Sequence, residues 1–324
     1  GAFDGALGVA VAFECVLAMK EAGIEPATAI EVVATAEEEG RFGGMLGSQA
    51  ITGQIDRDWF ESASDAEGTT LRDALRAQGL DPDEAFACAR SPEDVKAFLD
   101  LHIEQGPVLE SKGIPIGIAE AVSGVSNISV SLFGKANHSG TTPMDMRADA
   151  FAGLAQFATR IPDIIAENGT DQSRITIGQV ELDPNFAHTI PGKAIFSVIT
   201  RDTDETVQSH LLAAVKRGIK DAAKAHDLAW DVEDKSWLPP VTLDGELADM
   251  LATQAETLGL PYLRMPSGAG HDAQTMQALC PSALVFIPSR AGVSHAPEEF
   301  SEWDDIAAGA RLVLSALMAL SSQS

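Results

Sequence analysis

Three adjacent carboxylates, Glu37, Glu38 and Glu39, close a mostly apolar run at residues 30–34 and lead into Gly40-Arg41-Phe42. The run reads as a buried strand whose acidic end opens into a glycine turn, the place where open α/β sheets put their ligands. Three carboxylates held together repel one another unless water or cations face them. The segment is therefore either a solvated acidic turn or one wall of a cation site, and the choice rests on what other stretches bring to it.

The same rhythm continues along the chain. Residues 5–22 place Leu7, Val11 and Leu17 among polar positions and stop at Gly23, a helix with a glycine C-cap hanging directly behind Asp4. Residues 57–95 read as helical, polar scaffold with Thr69-Thr70 as a cap before Leu71 and a turn at 81–84. A second strand, 97–103, carries His102 near its carboxyl end and is stopped by Gly106-Pro107. From about 118 to 232 the pattern becomes two similar halves: strand 125–133, helix 147–160, strand 174–182, then strand 193–200, helix 206–225, strand 228–232. That doubled plan predicts a ferredoxin-like (βαββαβ) domain inserted into an α/β one. The expected division is residues 1–116 and 239–324 for the α/β domain and 117–238 for the insertion. In the last part a helix is expected at 245–258, a strand at 283–288 and a final helix introduced by the capping-box spacing Ser301-Glu302-Trp303-Asp304.

Composition narrows the function. With 48 acidic against 22 basic residues, a formal charge of −26, the chain's field repels phosphate, which argues against nucleic acid or an anionic membrane and for a small polar substrate. No apolar run of membrane-spanning length is present. Cys15, Cys88 and Cys280 are odd in number, far apart and in apolar contexts, so they read as reduced core residues of a cytoplasmic protein.

The stretches that could carry chemistry each have a plainer alternative. Asp4 precedes a helix and is a cap or a bridge between two cations. His102 is a satisfied strand histidine or a ligand. His138, in Asn137-His138-Ser139-Gly140-Thr141-Thr142-Pro143, is a turn histidine or a donor to developing negative charge. Ser267-Gly268-Ala269-Gly270-His271-Asp272 is a small-residue loop running into a helix, and His295 lies in a loop after the 283–288 strand. Together they supply Asp, Glu and His at the borders of several elements with a spare carboxylate beside them. Two divalent ions bridged by a carboxylate, with a neighbouring Glu as base, suit amide-bond hydrolysis.

In order along nearly the whole chain, Gly1-Ala2-Phe3-Asp4-Gly5-Ala6-Leu7-Gly8, Glu37-Glu38-Glu39-Gly40-Arg41-Phe42, His102-Ile103-Glu104-Gln105-Gly106-Pro107, His138-Ser139-Gly140-Thr141-Thr142-Pro143-Met144, the 267–273 loop and Ser294-His295-Ala296-Pro297-Glu298 resemble the amidase/hydantoinase-carbamoylase family. This is the M20-type metallohydrolase group that includes N-carbamoyl-L-amino-acid hydrolase, allantoate amidohydrolase, ureidoglycolate amidohydrolase and β-ureidopropionase. The resemblance implies a metallopeptidase-like catalytic domain with an inserted dimerisation or lid domain, a homodimer, and two divalent ions per subunit, Mn or Zn with Co or Ni as further options. It places Asp4 between the ions, Glu39 and His295 on one and His102 on the other, with Glu38 as general base. His138, Arg201 and the backbone at Gly268 fall where the family binds the substrate carboxylate or stabilises the oxyanion, with the inserted domain's groups reaching across a dimer. Gln105 is a further substrate contact.

Two departures accompany the resemblance. The family's first metal histidine lies upstream of the bridging aspartate, and this sequence opens three residues before Asp4, so the expectation is either a fragment or an ion short of one ligand, with lowered occupancy. His188 stands where many relatives have a substrate-contacting asparagine, which changes the polar group the pocket can match. Thr200, before the retained Arg201, stands where an aspartate is usual. The expected activity is metal-dependent hydrolysis of a linear ureido or amide C–N bond in a carboxylate-bearing substrate. The alternatives are an M20 aminoacylase or peptidase, and an inert, metal-poor binding or dimerisation module.

Overall fold

In the computed structural model, which describes residues 1–322, the strand Ser282–Ile287 is buried at every position. A strand covered on both faces has to be apolar throughout rather than alternating, and Ala283-Leu284-Val285-Phe286-Ile287 satisfies that. It pairs in parallel with Phe98–Ile103, which sets His102 opposite Phe286, and antiparallel with Ile116–Val122. Ile116–Val122 in turn runs parallel to Tyr262–Ser267. On one face Leu101, Ile103, Val285 and Ile287 meet Leu7 and Val11 of helix Ala6–Glu21, Leu251 of helix Gly245–Thr257 and Leu312 of helix Trp303–Ser321. On the other, Leu284 and Phe286 pack with Leu109 and Ala273. Each such fully buried side chain contributes roughly 1.5–3 kcal/mol relative to exposure. This mixed sheet with helices belongs to the first of two compact units, Gly1–Val122 together with the chain from Thr242 onward.

The second unit, Ser123–Val241, is an antiparallel sheet with helices on one face. Gly124–Phe133 and Lys193–Asp202 lie side by side, with Ala229–Leu238 outside the first and Arg174–Thr176 and Val180–Asp183 outside the second. Both central strands alternate buried and half-buried residues. Ile128, Val130, Leu132, Phe196 and Val198 thus face Phe157, Leu211, Val215 and Ile219 of helices Ala150–Thr159 and Glu205–Ala225. The strand expected at 174–182 is interrupted between Thr176 and Val180. Ser126 and Thr200 are register partners on the buried face, their hydroxyl oxygens 2.5 Å apart, so Thr200 fills a paired polar site without adding buried charge.

Several expectations are corrected. Residues 30–36 are not a strand: residues 29–35 make no backbone–backbone hydrogen bond among the described residues, and Val33 is exposed. Apolar, β-branched composition favours extended backbone, but a strand exists only through a ladder with a neighbour. Here a cavity of ≈ 880 Å³ is lined by this stretch, by residues 98–101 and by Val9 and Ala12 of the first helix. Residues 57–95 hold only the short helices Arg57–Ser62 and Leu71–Ala77 and the 3-10 turns Pro82–Ala87 and Pro92–Asp94, the first three gathered on Phe60 and Leu71. Thr70 does cap there, accepting the Asp73 N–H at 3.1 Å. Ser301 does not: its hydroxyl donates to the Pro288 carbonyl at 2.8 Å, and the helix starts after Glu302 without a side-chain cap. Strands Ile116–Val122 and Tyr262–Ser267 were not expected. Cys15 and Cys280 are buried, but Cys88 is exposed. No described helix is long and apolar enough to cross a membrane.

Candidate active site

Within the first unit, the loop before helix Ala6–Glu21, the end of strand Phe98–Ile103 and the loop after strand Ser282–Ile287 come together. Asp4 stands at their junction. Its Oδ1 lies 3.0 Å from His102 Nε2 and its Oδ2 lies 3.1 Å from His295 Nε2. His295 Nε2 is in turn 3.0 Å from Glu39 Oε1. Asp4, Glu39 and His295 each offer a ligand atom within 4.8 Å of the others, a group that could hold a metal ion. His102 Nδ1 is 2.8 Å from the Ile103 carbonyl, which orients the ring and leaves Nε2 directed at Asp4 and at the Gly5 N–H, 3.2 Å away. Neutral, Nε2 has one lone pair, which accepts the Gly5 N–H or binds a cation in its place; protonated, it pairs with the carboxylate.

The three adjacent glutamates separate by role. Glu37 accepts the Arg41 and Phe42 N–H groups, each at 2.8 Å, and so shapes the turn. Glu39 goes to His295. Glu38 lines the cavity with Asp4, His102 and Asp272. Gln105 has a sharper place than a substrate contact alone: its Nε2 donates to Asp4 Oδ2 at 2.8 Å and to Ser294 Oγ at 3.2 Å. Glu37, Gln105 and His295 all have left-handed backbone, φ 65°, 57° and 56°. Non-glycine residues in that region store local strain of about 1–3 kcal/mol, and three at one site mark positions where side-chain placement overrides backbone preference.

Sequence reasoning singled out the loop that carries His271 and Asp272 but gave those side chains no role, and it gave none to Glu299. Asp272 accepts a hydrogen bond from the Thr35 hydroxyl, and His271 lies edge-on to His102 with ring centroids 4.5 Å apart. Glu299 is buried under the loop that carries His295. Its neighbour Glu298 was the last residue of the recognised motif, and nothing in the local pattern distinguishes the two carboxylates.

The electrostatics follow from these neighbours. Burial raises the Asp4 pKa, but His102, Gln105 and His295 outweigh it and hold the carboxyl down at about 2. Burial works against protonation of His102, yet Asp4, Asp100 and the Ile103 carbonyl push it up to about 9. Burial, then Glu39, Asp272 and Asp4, push Glu38 up to about 7 against the opposing pull of His102. Burial and the charge of His102 keep His271 well below its ordinary value. Gln105 Oε1, His271 Nε2 and Asp272 Oδ1 are buried without a hydrogen-bond partner among the described residues. Carboxylate and imidazole groups converging in this way, with an acid held ionised at neutral pH, form a donor set that could hold a divalent cation.

In the second unit, His138 and His188 lie on exposed loops that the backbone ties together. Residues 138 and 189 form a β-bridge, and the Ser139 N–H donates to the His188 carbonyl at 3.0 Å. The His138 ring accepts the Gly140 N–H at Nδ1, and Phe186 lies edge-on to His188. Arg201 lies half-buried on strand Lys193–Asp202. Gly268, in the first unit, is exposed at the end of strand Tyr262–Ser267, where Ser267 Oγ bonds the Ala269 backbone.

Comparison with known proteins identifies the family. Residues 1–319 match the peptidase family M20/M25/M40. The chain is 38% identical over 317 residues to an N-carbamoyl-L-amino acid amidohydrolase of Geobacillus stearothermophilus, covering 97% of this chain and 76% of that one. It is 35% identical to the allantoate amidohydrolase of Escherichia coli K12, with 100% and 78% covered. Its fold superposes on the crystal structure of an amidase of the hydantoinase/carbamoylase family from Burkholderia multivorans with a TM-score of 0.91 at 30% identity, over 100% of this chain and 78% of the other. With relatives this similar along nearly its full length, the chain belongs to peptidase family M20/M25/M40, in the hydantoinase/carbamoylase group, and is a hydrolase acting on carbon–nitrogen bonds.

Proposed function

We propose that this hydrolase uses divalent metal to cleave a linear ureido or amide C–N bond next to a carboxylate-bearing carbon, in a substrate of the N-carbamoyl-L-amino acid, allantoate or ureidoglycolate type. The observation that carries the reading is Asp4 set between His102 and His295, with Glu39 on the far side of His295. Asp4, Glu39, His102 and His295 would hold the metal, two ions of Mn or Zn in the full family arrangement, with Co and Ni matching the same donors. The bound metal would supply Lewis acidity, polarising the scissile carbonyl and lowering the pKa of the attacking water.

The chain's own residues do the rest. Glu38 takes a proton from the attacking water on a carboxylate oxygen and returns it to the leaving nitrogen, the function suited to a carboxyl titrating near neutrality. Gln105 holds Asp4 through its Nε2 and keeps Oε1 for a substrate N–H. His138, Arg201 and the backbone at Gly268 take the substrate carboxylate and oxyanion roles, and His188 adjusts which polar group is accepted. For the second unit, the order of its four strand positions and its one-sided helices support a ferredoxin-like lid and dimerisation domain. The enzyme is read as a cytoplasmic homodimer.

The test is ammonia release from N-carbamoyl amino acids, allantoate and ureidoglycolate, with release of free amino acid from N-acetyl amino acids as the aminoacylase control, in metal-loaded and chelated protein. Turnover of a ureido compound that chelation abolishes and metal restores is expected. Turnover of N-acetyl substrates alone would move the enzyme to the aminoacylase side.

A further inference from the structure

We infer that Glu299 is the positioning residue that brings Asp4 and His295 together. Its side chain is 1% exposed, and among the described residues its hydrogen bonds go to backbone N–H groups rather than to a candidate substrate group or an imidazole ring nitrogen. Instead Oε1 accepts the Phe3 and Asp4 N–H groups at 2.8 and 3.0 Å, and Oε2 accepts the His295 N–H at 3.2 Å. One carboxylate therefore fastens the backbones of two ligand-bearing residues that are far apart in sequence. The neighbouring residues repeat the link: Phe3 packs edge-on against Phe300, ring centroids 5.4 Å apart.

A carboxylate is an expensive group to bury, and filling this volume alone would be done better by leucine. What leucine lacks is the pair of oxygens that receive three main-chain donors from opposite sides. The left-handed backbone of His295 adds to the case, because a strained residue keeps its orientation only while its surroundings hold it, and Glu299 holds its N–H. Glu299 thus sets the separation between Asp4 Oδ2 and His295 Nε2 from behind, as outer carboxylates orient metal ligands elsewhere.

This inference rests on the metal reading above, and the experiment separates the two. Co²⁺ and Zn²⁺ binding to the full chain is measured by calorimetry, and the Co²⁺ complex by visible absorption, for the wild type, E299Q and E299L, each checked by circular dichroism as folded at the temperature used. For E299L metal affinity falls by roughly 10–100-fold with an altered Co²⁺ spectrum. E299Q can still accept from Phe3 and Asp4, but its amide N–H₂ meets the His295 N–H; it is expected to lose about 10-fold or less and to shift the spectrum. E299Q decides the matter if E299L does not fold. Folded variants that bind like wild type with an unchanged spectrum overturn the inference, as does a lowered melting temperature with unmoved affinity. A wild type that binds no metal removes the metal reading itself.

Discussion

Metal binding at Asp4 and His102 should expel a proton, and the amount follows from the pair's geometry. Both side chains are 10% exposed and 3.0 Å apart. Without a cation, burial is outweighed at each: His102 is pushed up to about 9 and Asp4 held at about 2. These are net shifts, in which burial opposes the ion pair at both groups and Asp100 and the Ile103 carbonyl add to His102 as Gln105 and His295 add to Asp4; taken whole they amount to about 3 kcal/mol at His102 and about 2 kcal/mol at Asp4. The pair interaction is contained in both, so the two figures are not added. Because the His102 pKa is raised in the folded state, its contribution is complete below the unfolded value of 6.5 and is lost as pH rises through about 9. The Asp4 pKa is lowered, so its contribution is present above 3.8 and lost as pH falls through about 2. Metal-free protein is therefore most strongly helped by this pair at roughly pH 4–6.5. At about pH 7.5 His102 is almost fully protonated, and a cation on Nε2 displaces close to one proton, to which Glu38 adds about a quarter of one. Titration calorimetry with Zn²⁺ or Mn²⁺ in buffers of different ionisation enthalpy reads that number as a slope. His102→Asn should lower it by about one and weaken binding. A slope near zero in the wild type, or one that His102→Asn leaves unchanged, refutes the assignment of His102 as a protonated partner displaced by metal.

Other expectations concern turnover. Glu38→Gln should keep metal stoichiometry while kcat falls by about 10²–10⁴, and metal loss in that variant would show that base and ligand are interchanged. Since Glu38 must be ionised to accept a proton and bound cations favour the ionised form, the acidic limb of kcat/KM should have its midpoint at or below about pH 7; a midpoint clearly above 7 contradicts Glu38 as base. His188→Asn should change the ranking of ureido substrates and leave metal content alone, and an unchanged ranking would remove His188 from substrate recognition.

Much of the second unit was legible from periodicity, because half-buried strands such as Gly124–Phe133 and amphipathic helices such as Glu205–Ala225 write their burial into alternation and 3.6-residue spacing. The strand Ser282–Ile287 was equally plain as a short, continuous apolar run. The candidate site residues were legible as motifs, since Asp4, Glu38, Glu39, His102 and His295 sit in distinctive local strings. Three matters were decided only in three dimensions. Residues 30–36 have strand composition but no ladder, because pairing depends on a neighbour that composition does not specify. The roles of Glu37, Glu38 and Glu39 diverge because two backbone N–H groups claim the first and His295 claims the last. Glu299 acts on residues nearly the whole chain away, and a hydrogen bond between segments that distant leaves no mark on the local spacing of either. Short-range order is set by neighbours along the chain; convergence of ligands is set by packing, which brings together residues whose sequences carry no information about one another.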